Sequence, residues 1–322
     1  MAIVLAGGSY LGFRMQYPAA KVKSICSGLL PVDSVLGLNN KSRLSLFGLH
    51  FRISGDRDAV GSDGLDATCW AGNVHMAIQA SAAVSAPYEN WNRNGDSMSD
   101  PLGAGWEGFI VEESDAIASS VLVNCTNWKS RQSKGILVAA SVYEADDLSS
   151  ARRKVAQLVT DTAREAAQYV GCEAEFGEKD IPSPPTGTSK AMSAGDATGT
   201  CSGLTSRPKV RETAAGASPV EECVLVGGLQ LSAEYGPFTS SWRGQQKYGT
   251  HETASGVEDV AWTTASCGGV LGTAVYTAEN PEDSDRKFSE EPLTKAERAD
   301  LQHFAEQSAA RHGCSAPVAL GS

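Results

Sequence analysis

Basic residues are few and scattered in this sequence. Lys and Arg number 27 against 38 Asp and Glu, a formal net charge of −11. No Lys/Arg-rich run or stripe occurs, which argues against nucleic acid as a partner; the acidity reads as solubility. Histidine is also scarce. His50, His75, His251, His303 and His312 are spread along the chain, and none pairs at i, i+4 as a helical metal site would require. No two cysteines form C-x-x-C, and no Cys/His group has zinc-finger spacing, so no metal is expected. The stretch "DRDAVGSDGLD" (56–66) has calcium-loop composition, but the EF-hand spacing fails at Val60 and no Glu closes it. There is no P-loop and no dinucleotide fingerprint after a strand, so no cofactor is expected. "GGSYLG" (7–12) is not a nucleophile elbow, and no nucleophile can be matched with a base; the chain does not read as an enzyme.

Long apolar runs are missing too. Met1–Phe13, "MAIVLAGGSYLGF", is apolar and uncharged, but a bilayer-spanning helix needs roughly 20 such residues. It lacks the basic start of a signal peptide, and "YPAAK" is a poor cleavage site. The positive charges, Arg14, Lys21 and Lys23, follow it. Residues 1–20 are read as the outer half of an anchor or signal segment whose basic start lies upstream of Met1. Contact with a membrane is expected through this segment alone.

What the chain does have is eight widely spaced cysteines: Cys26, Cys69, Cys125, Cys172, Cys201, Cys223, Cys267 and Cys314. An even number at wide spacing fits disulfides better than metal ligands, and disulfides persist in oxidising compartments. The expected location is the extracytoplasmic face of the cell membrane, or outside the cell.

Aligned on these cysteines, the two halves repeat one plan. "CSGLLPVDSVLGL" from 26 matches "CSGLTSRPKV" from 201, and "CWAGNVHMAIQASA" from 69 matches "CVLVGGLQLSAEYG" from 223. "YENW" (88–91) answers "FTSSW" (238–242), and "ASSVLVNC" answers "VAWTTASC". "ASVYEADD" (140–147) is set against "TAVYTAEN" (273–280), which puts Tyr143 and Tyr276 at matching positions. Each half ends in a helix that runs into Gly-Cys. Between them, residues 177–199 are rich in Pro, Gly, Ser and Thr and read as a semi-extended linker. This gives one domain at 21–176 and a second at 200–322.

The expected fold class is α+β. "PVDSVLGL" (31–38) reads as a short helix. Residues 74–82, 108–113, 119–125 and 135–145 have strand composition without crossover helices, so the sheet should be antiparallel. Leu148, Val155, Leu158, Val159, Thr162, Ala166, Tyr169 and Val170 recur at helical spacing, with Asp147 as N-cap. In the second half "TKAE" (294–297) is a capping box, before an apolar face of Leu293, Ala296, Leu301, Phe304, Ala305 and Ser308. Each half is then a sheet with a long C-terminal helix across one face. Gly171 and Gly313 stand where a helix ends in a left-handed residue, and the next cysteine can tie that end to the sheet. Confined to halves, four cysteines pair in three ways each, hence nine in all. The order of elements favours Cys125 with Cys172 and Cys267 with Cys314, leaving Cys26 with Cys69 and Cys201 with Cys223.

The free face of each sheet is where a ligand or partner is expected. The interval from Cys69 to Cys125 is longer than its counterpart and contains "NRNGDSMSDPLGAGW" (92–106), a loop-forming stretch. Tyr88, Trp91 and Trp106 are expected to border the binding surface, with Asp96 and Asp100 at its polar rim. Taken singly, strand-adjacent aromatics more often fill cores.

The apolar leader, "CSGLLPVDSVLGL", "CW" before an alternating strand and a helix ending in "GC" resemble uncharacterised membrane-anchored proteins of actinobacteria. The cysteine order in each half is similar to the extracellular sensor domains of mycobacterial serine/threonine kinases and related envelope lipoproteins. That resemblance implies a two-disulfide sheet-plus-helix fold with the same pairing. No kinase domain and no lipobox cysteine is present, and no catalytic residue carries over. The function expected is an extracytoplasmic binding or sensing module for a small ligand or an envelope protein. The alternatives are a structural or accessory envelope protein that binds another protein, and then a hydrolase with an unfamiliar site.

Overall fold

The computed structural model describes residues 19–20, 22–39, 53–55, 60–61, 64–80, 97–112, 116–128, 134–143, 148–182, 184, 190–240, 255–257, 260–280, 286–288 and 290–320. The chain is α+β, with two antiparallel sheets and four disulfides. The first sheet contains β1 (Ile53–Gly55), β2 (Val60–Gly61), β3 (Gly64–Ala71), β4 (Val74–Ala80), β5 (Asp100–Pro101), β6 (Gly108–Glu112), β7 (Ala116–Asn124) and β8 (Gly135–Tyr143). Its order is β1-β3-β4-β8-β7-β6-β5, with β2 paired to β3. The second contains β9 (Met192–Ser193), β10 (Lys209–Glu212), β11 (Val220–Leu225), β12 (Gln230–Glu234), β13 (Ser255–Val257), β14 (Val260–Ser266) and β15 (Thr273–Glu279). Its order is β13-β14-β15-β12-β11-β10-β9.

One six-strand order is used twice: β1-β3-β4-β8-β7-β6 and β10-β11-β12-β15-β14-β13. The register repeats with it. Cys69 lies opposite Met76, which lies opposite Ala140; Cys223 lies opposite Leu231, which lies opposite Ala278. Ser119 then faces Ala140 as Ala261 faces Ala278. This register corrects one match. Tyr276, two before Ala278, is equivalent to Val138, two before Ala140, and not to Tyr143. Tyr276 is fully buried, whereas Tyr143 ends its strand 38% exposed. The local likeness of "SVY" and "AVY" misled because the turn between the two cysteine-flanking strands differs in length: Cys125 N–H donates to Lys134, but Cys267 N–H donates to Gly272.

Among the described residues the long helical elements are α1 (Val32–Leu38), α2 (Leu148–Val170) and α3 (Lys295–Arg311). On α2, Val155, Leu158, Val159, Thr162 and Ala166 are buried as their spacing requires, while Tyr169 is 52% exposed. The expected cap, Asp147, lies outside the described residues. The first core joins this α2 stripe to Ile110, Ile117, Val121, Ile136 and Val138 of the sheet and to Val22, Leu29 and Val35. The second joins Leu301, Phe304 and Ala305 of α3 to Leu231, Ala233, Tyr276 and Ala278. The capping box is present: Thr294 Oγ1 accepts from Glu297 N–H, and Glu297 Oε2 accepts from Thr294 N–H. Ala296, expected on the apolar face, is exposed, and Glu297 and Asp300 are buried in its stead. Each has partners that reward burial: Glu297 pairs with Arg286, and Asp300 accepts from the Thr205 and Ser206 amides.

Gly171 and Gly313 adopt φ of +64° and +62°, the left-handed stop that a side chain would strain. The bridges are Cys26–Cys69, Cys125–Cys172, Cys201–Cys223 and Cys267–Cys314, the pairing that the element order favours.

Two sequence expectations change. Residues 177–199 are not a bare connection: Ile181 is 1% exposed in the first core, Ala197 lies in the second, and β9 pairs with β10. The Glu212 carboxylate also holds this stretch, accepting from the Thr198, Gly199 and Cys201 amides. Nor is the second face of the first sheet free. Phe109, Val111, Leu122 and Leu137 on that face form one cluster with Val220, Phe238 and Val270 of the other half. Phe109 meets Phe238 edge to face at 5.3 Å. Strands buried on both faces read as near-continuous apolar runs, and β7 and β8 do so.

Candidate functional site

Of the expected binding residues, Tyr88, Trp91 and Asp96 lie outside the described residues. Trp106 and Asp100 are interior, which corrects their placement at a surface. Trp106 is 2% exposed; its Nε1–H donates to Glu178 O at 2.9 Å, and Phe176 lies 5.8 Å away. The Arg164 guanidinium sits 4.9 Å from both ring centroids. Asp100 accepts from Arg152 Nη2 at 2.7 Å, while Arg152 Nη1 reaches Glu112 at the same distance. Among the other tryptophans, Trp128 and Trp262 are buried. Trp70 stacks on His75 with centroids 3.9 Å apart, and burial lowers the pKa of that imidazole.

The chemistry-bearing groups that the structure brings together are elsewhere. At the end of α3, His312 is enclosed, with its Nδ1 3.0 Å from Glu107 and its Nε2 3.1 Å from Glu221. Arg311 makes two hydrogen bonds to the same Glu221 carboxylate. Tyr235 packs on the imidazole at 4.1 Å, and its hydroxyl meets Ser308 Oγ at 2.5 Å and Tyr276 Oη at 3.3 Å. Burial alone would drive protons off His312. The two carboxylates outweigh it and lift the imidazole to about 9. Burial would also raise Glu221, but hydrogen bonds from His312 and Arg311 hold it below the usual carboxylate range. Burial pushes Tyr276 up to about 12 and raises Tyr235 as well. The charges are matched within the fold, and Glu107 Oε1 meets His312 Nδ1 as an ion pair without hydrogen-bond geometry. The cluster joins Glu107 of the first half to the second, and the His312 side chain has no solvent-exposed surface through which to meet a substrate.

The concave candidate is a cleft of about 620 Å³ between α1 and α2. Asp33, Ser34 and Gly37 of α1 line one side, and Ser150, Arg153, Lys154 and Gln157 of α2 line the other. Which side chains face the cleft follows from which ones the two helices bury. Val35 buries into the first core, which turns Asp33, Ser34 and Gly37 outward on a helix. Val155 and Leu158 bury from α2, which turns Arg153, Lys154 and Gln157 outward. Lys154 Nζ reaches across to donate to Gly37 O at 3.3 Å. That carbonyl is among the last of α1, which have no partner within the helix. Gln157 Nε2 is anchored by Asp161 and by Lys179 O. A Cβ on Gly37 would meet nothing within 4 Å, so the glycine leaves the wall open.

No sequence reading pointed to these residues, yet a signal for them exists. The first bridge of the first half spans 43 residues and its counterpart in the second half spans 22. The excess contains α1, so the cleft is built where the two repeats differ. Among the described residues, no group of His, Cys, Asp or Glu is placed to hold a metal ion, and no helix is long and apolar enough to cross a membrane. Compared with family models, with curated proteins and with solved structures, the chain matches none.

Proposed function

We propose that this protein is an extracytoplasmic binding or sensing module that acts without catalysis. In this reading one disulfide-braced α+β unit has been duplicated into tandem domains, each a sheet with its long C-terminal helix on one face, and the N-terminal segment holds the chain at the membrane. The four disulfides support an oxidising compartment. The observation that carries the binding role is the position of the α1–α2 cleft. A frame used twice supplies rigidity, and the part present in one copy alone is what a ligand can shape. The cleft volume is within the range of small-molecule sites, about 300–1,000 Å³.

Gly37→Trp tests this, because Gly37 lines the cleft and a Cβ there meets nothing within 4 Å, so a bulky side chain can obstruct it without disturbing the core. Thermal unfolding of the oxidised protein is followed against fractionated small molecules from the cell exterior. A ligand that binds the folded state raises the midpoint in proportion to its saturation. A fraction that stabilises the natural chain and leaves Gly37→Trp unmoved is the expected result. Equal stabilisation of both places the ligand elsewhere. Capture of an envelope protein by both chains alike, with no small-molecule effect, favours the accessory role instead.

A further inference from the structure

We infer that the α1–α2 cleft takes a small anionic solute that also carries hydroxyl groups, such as a phosphorylated or carboxylated sugar. The inference rests on the binding-module reading and adds the class of ligand.

The lining decides the class. It holds two cations, Arg153 and Lys154, and one carboxylate, Asp33, a local positive balance in a chain of net charge −11. Among the described residues no carboxylate is paired with Arg153. Its planar fork is suited to two parallel bonds to a phosphate or carboxylate. Lys154 spends one donor on Gly37 O, which fixes the ammonium at the cleft wall and leaves two more for a ligand. No aromatic and no large aliphatic side chain lines the space, which argues against an apolar ligand. Ser34 supplies a hydroxyl, and Gln157 Oε1 and Asp33 supply acceptors, of the kind that hydroxyl groups require. A void of about 620 Å³ exceeds what a lone phosphate fills and has room for a sugar-sized body with its water.

The test is a calorimetric titration of the oxidised full chain with glucose 6-phosphate, glucuronate, inorganic phosphate and glucose. It is repeated on Arg153→Gln/Lys154→Gln and on Gly37→Trp. Both cations are exposed, so the double variant should keep its melting temperature. Saturable binding of at least one charged sugar is expected, weakened by salt, with glucose failing to bind. Each lost charge-assisted contact should weaken binding by about tenfold or more, and Gly37→Trp should abolish it. Phosphate against carboxylate tells which anion the fork takes. Glucose binding as tightly as the charged sugars overturns the inference. So does equal binding by the natural chain and the double variant, or no binding of either charged sugar at millimolar concentration. In that last case, a cell-exterior fraction that stabilises the natural chain and not Gly37→Trp leaves the cleft as the site and removes only the anionic class.

Discussion

His312 shows how a single side chain can hold two parts of a protein together. Its ring has no exposed surface and touches a carboxylate at each nitrogen, Glu107 from the first half and Glu221 from the second. Its folded pKa of about 9 lies above the ordinary 6.5. The stabilisation it brings is therefore whole below about pH 6.5, declines as pH rises, and is gone above about pH 9. A shift of this size corresponds to on the order of 3 kcal/mol. The melting temperature of the natural chain should fall across that window, and His312→Gln should start lower and remain flat through it. A slope that survives the substitution would assign the effect to another group. In the sequence His312 is one of five scattered histidines, and "RHGC" has nothing to set it apart from His303 on the same helix. Its partners are more than 90 positions away in one case and some 200 in the other, and only tertiary structure brings them together.

At the level of elements, what can be read locally was readable. Helical periodicity located α2, the capping box located the start of α3, and the glycines located both helix ends. These depend on residues within a few positions of each other. What escaped depends on residues far apart. Ala296 and Glu297 are neighbours, and local pattern assigned burial to the alanine; Arg286 and the cap made it the glutamate. Trp106 escaped in the same way. A glycine-rich stretch before it looked like a surface loop, but the indole fastens the corner before β6 to Glu178 and lies beneath Arg164 of α2. Trp106→Ala should accordingly lower stability by about 3–5 kcal/mol, the usual range for truncating a buried aromatic. Denaturant unfolding measures this. A loss below 1 kcal/mol, roughly that of a surface change, would return Trp106 to the exterior. The cleft escaped for a different reason: its polar residues are ordinary helix-surface types, and only the excess length between the first two cysteines marked it.

Across the whole molecule the repeat is in topology more than in sequence. Six strands keep their order and register while the residues on them change. Ser120 holds the register position that Trp262 holds in the other sheet, and Val138 the position of Tyr276. Such exchange is possible because backbone pairing sets the frame and side chains fill it afterwards. Every bridge closes inside its own half, and Cys125–Cys172 and Cys267–Cys314 both span 47 residues. Peptide mapping of unreduced protein should find these four bonds and none linking residues 1–176 to 200–322. In the chain-entropy model a loop of this length contributes about 4 kcal/mol. Replacing either pair with serine should reduce stability by that order, less any strain relieved. A bridge between halves would break the two-unit plan.

The confinement of the bridges also bears on how the chain matures. Delivered N-terminus first, it presents Cys26, Cys69, Cys125 and Cys172, and all four have their native partners before Cys201 emerges. An oxidase then faces a handful of possible arrangements at a time, whereas eight thiols released together would offer roughly a hundred. The contacts that join the halves, such as Glu107 with His312 and Phe109 with Phe238, are noncovalent. The molecule can be oxidised in instalments, one half at a time.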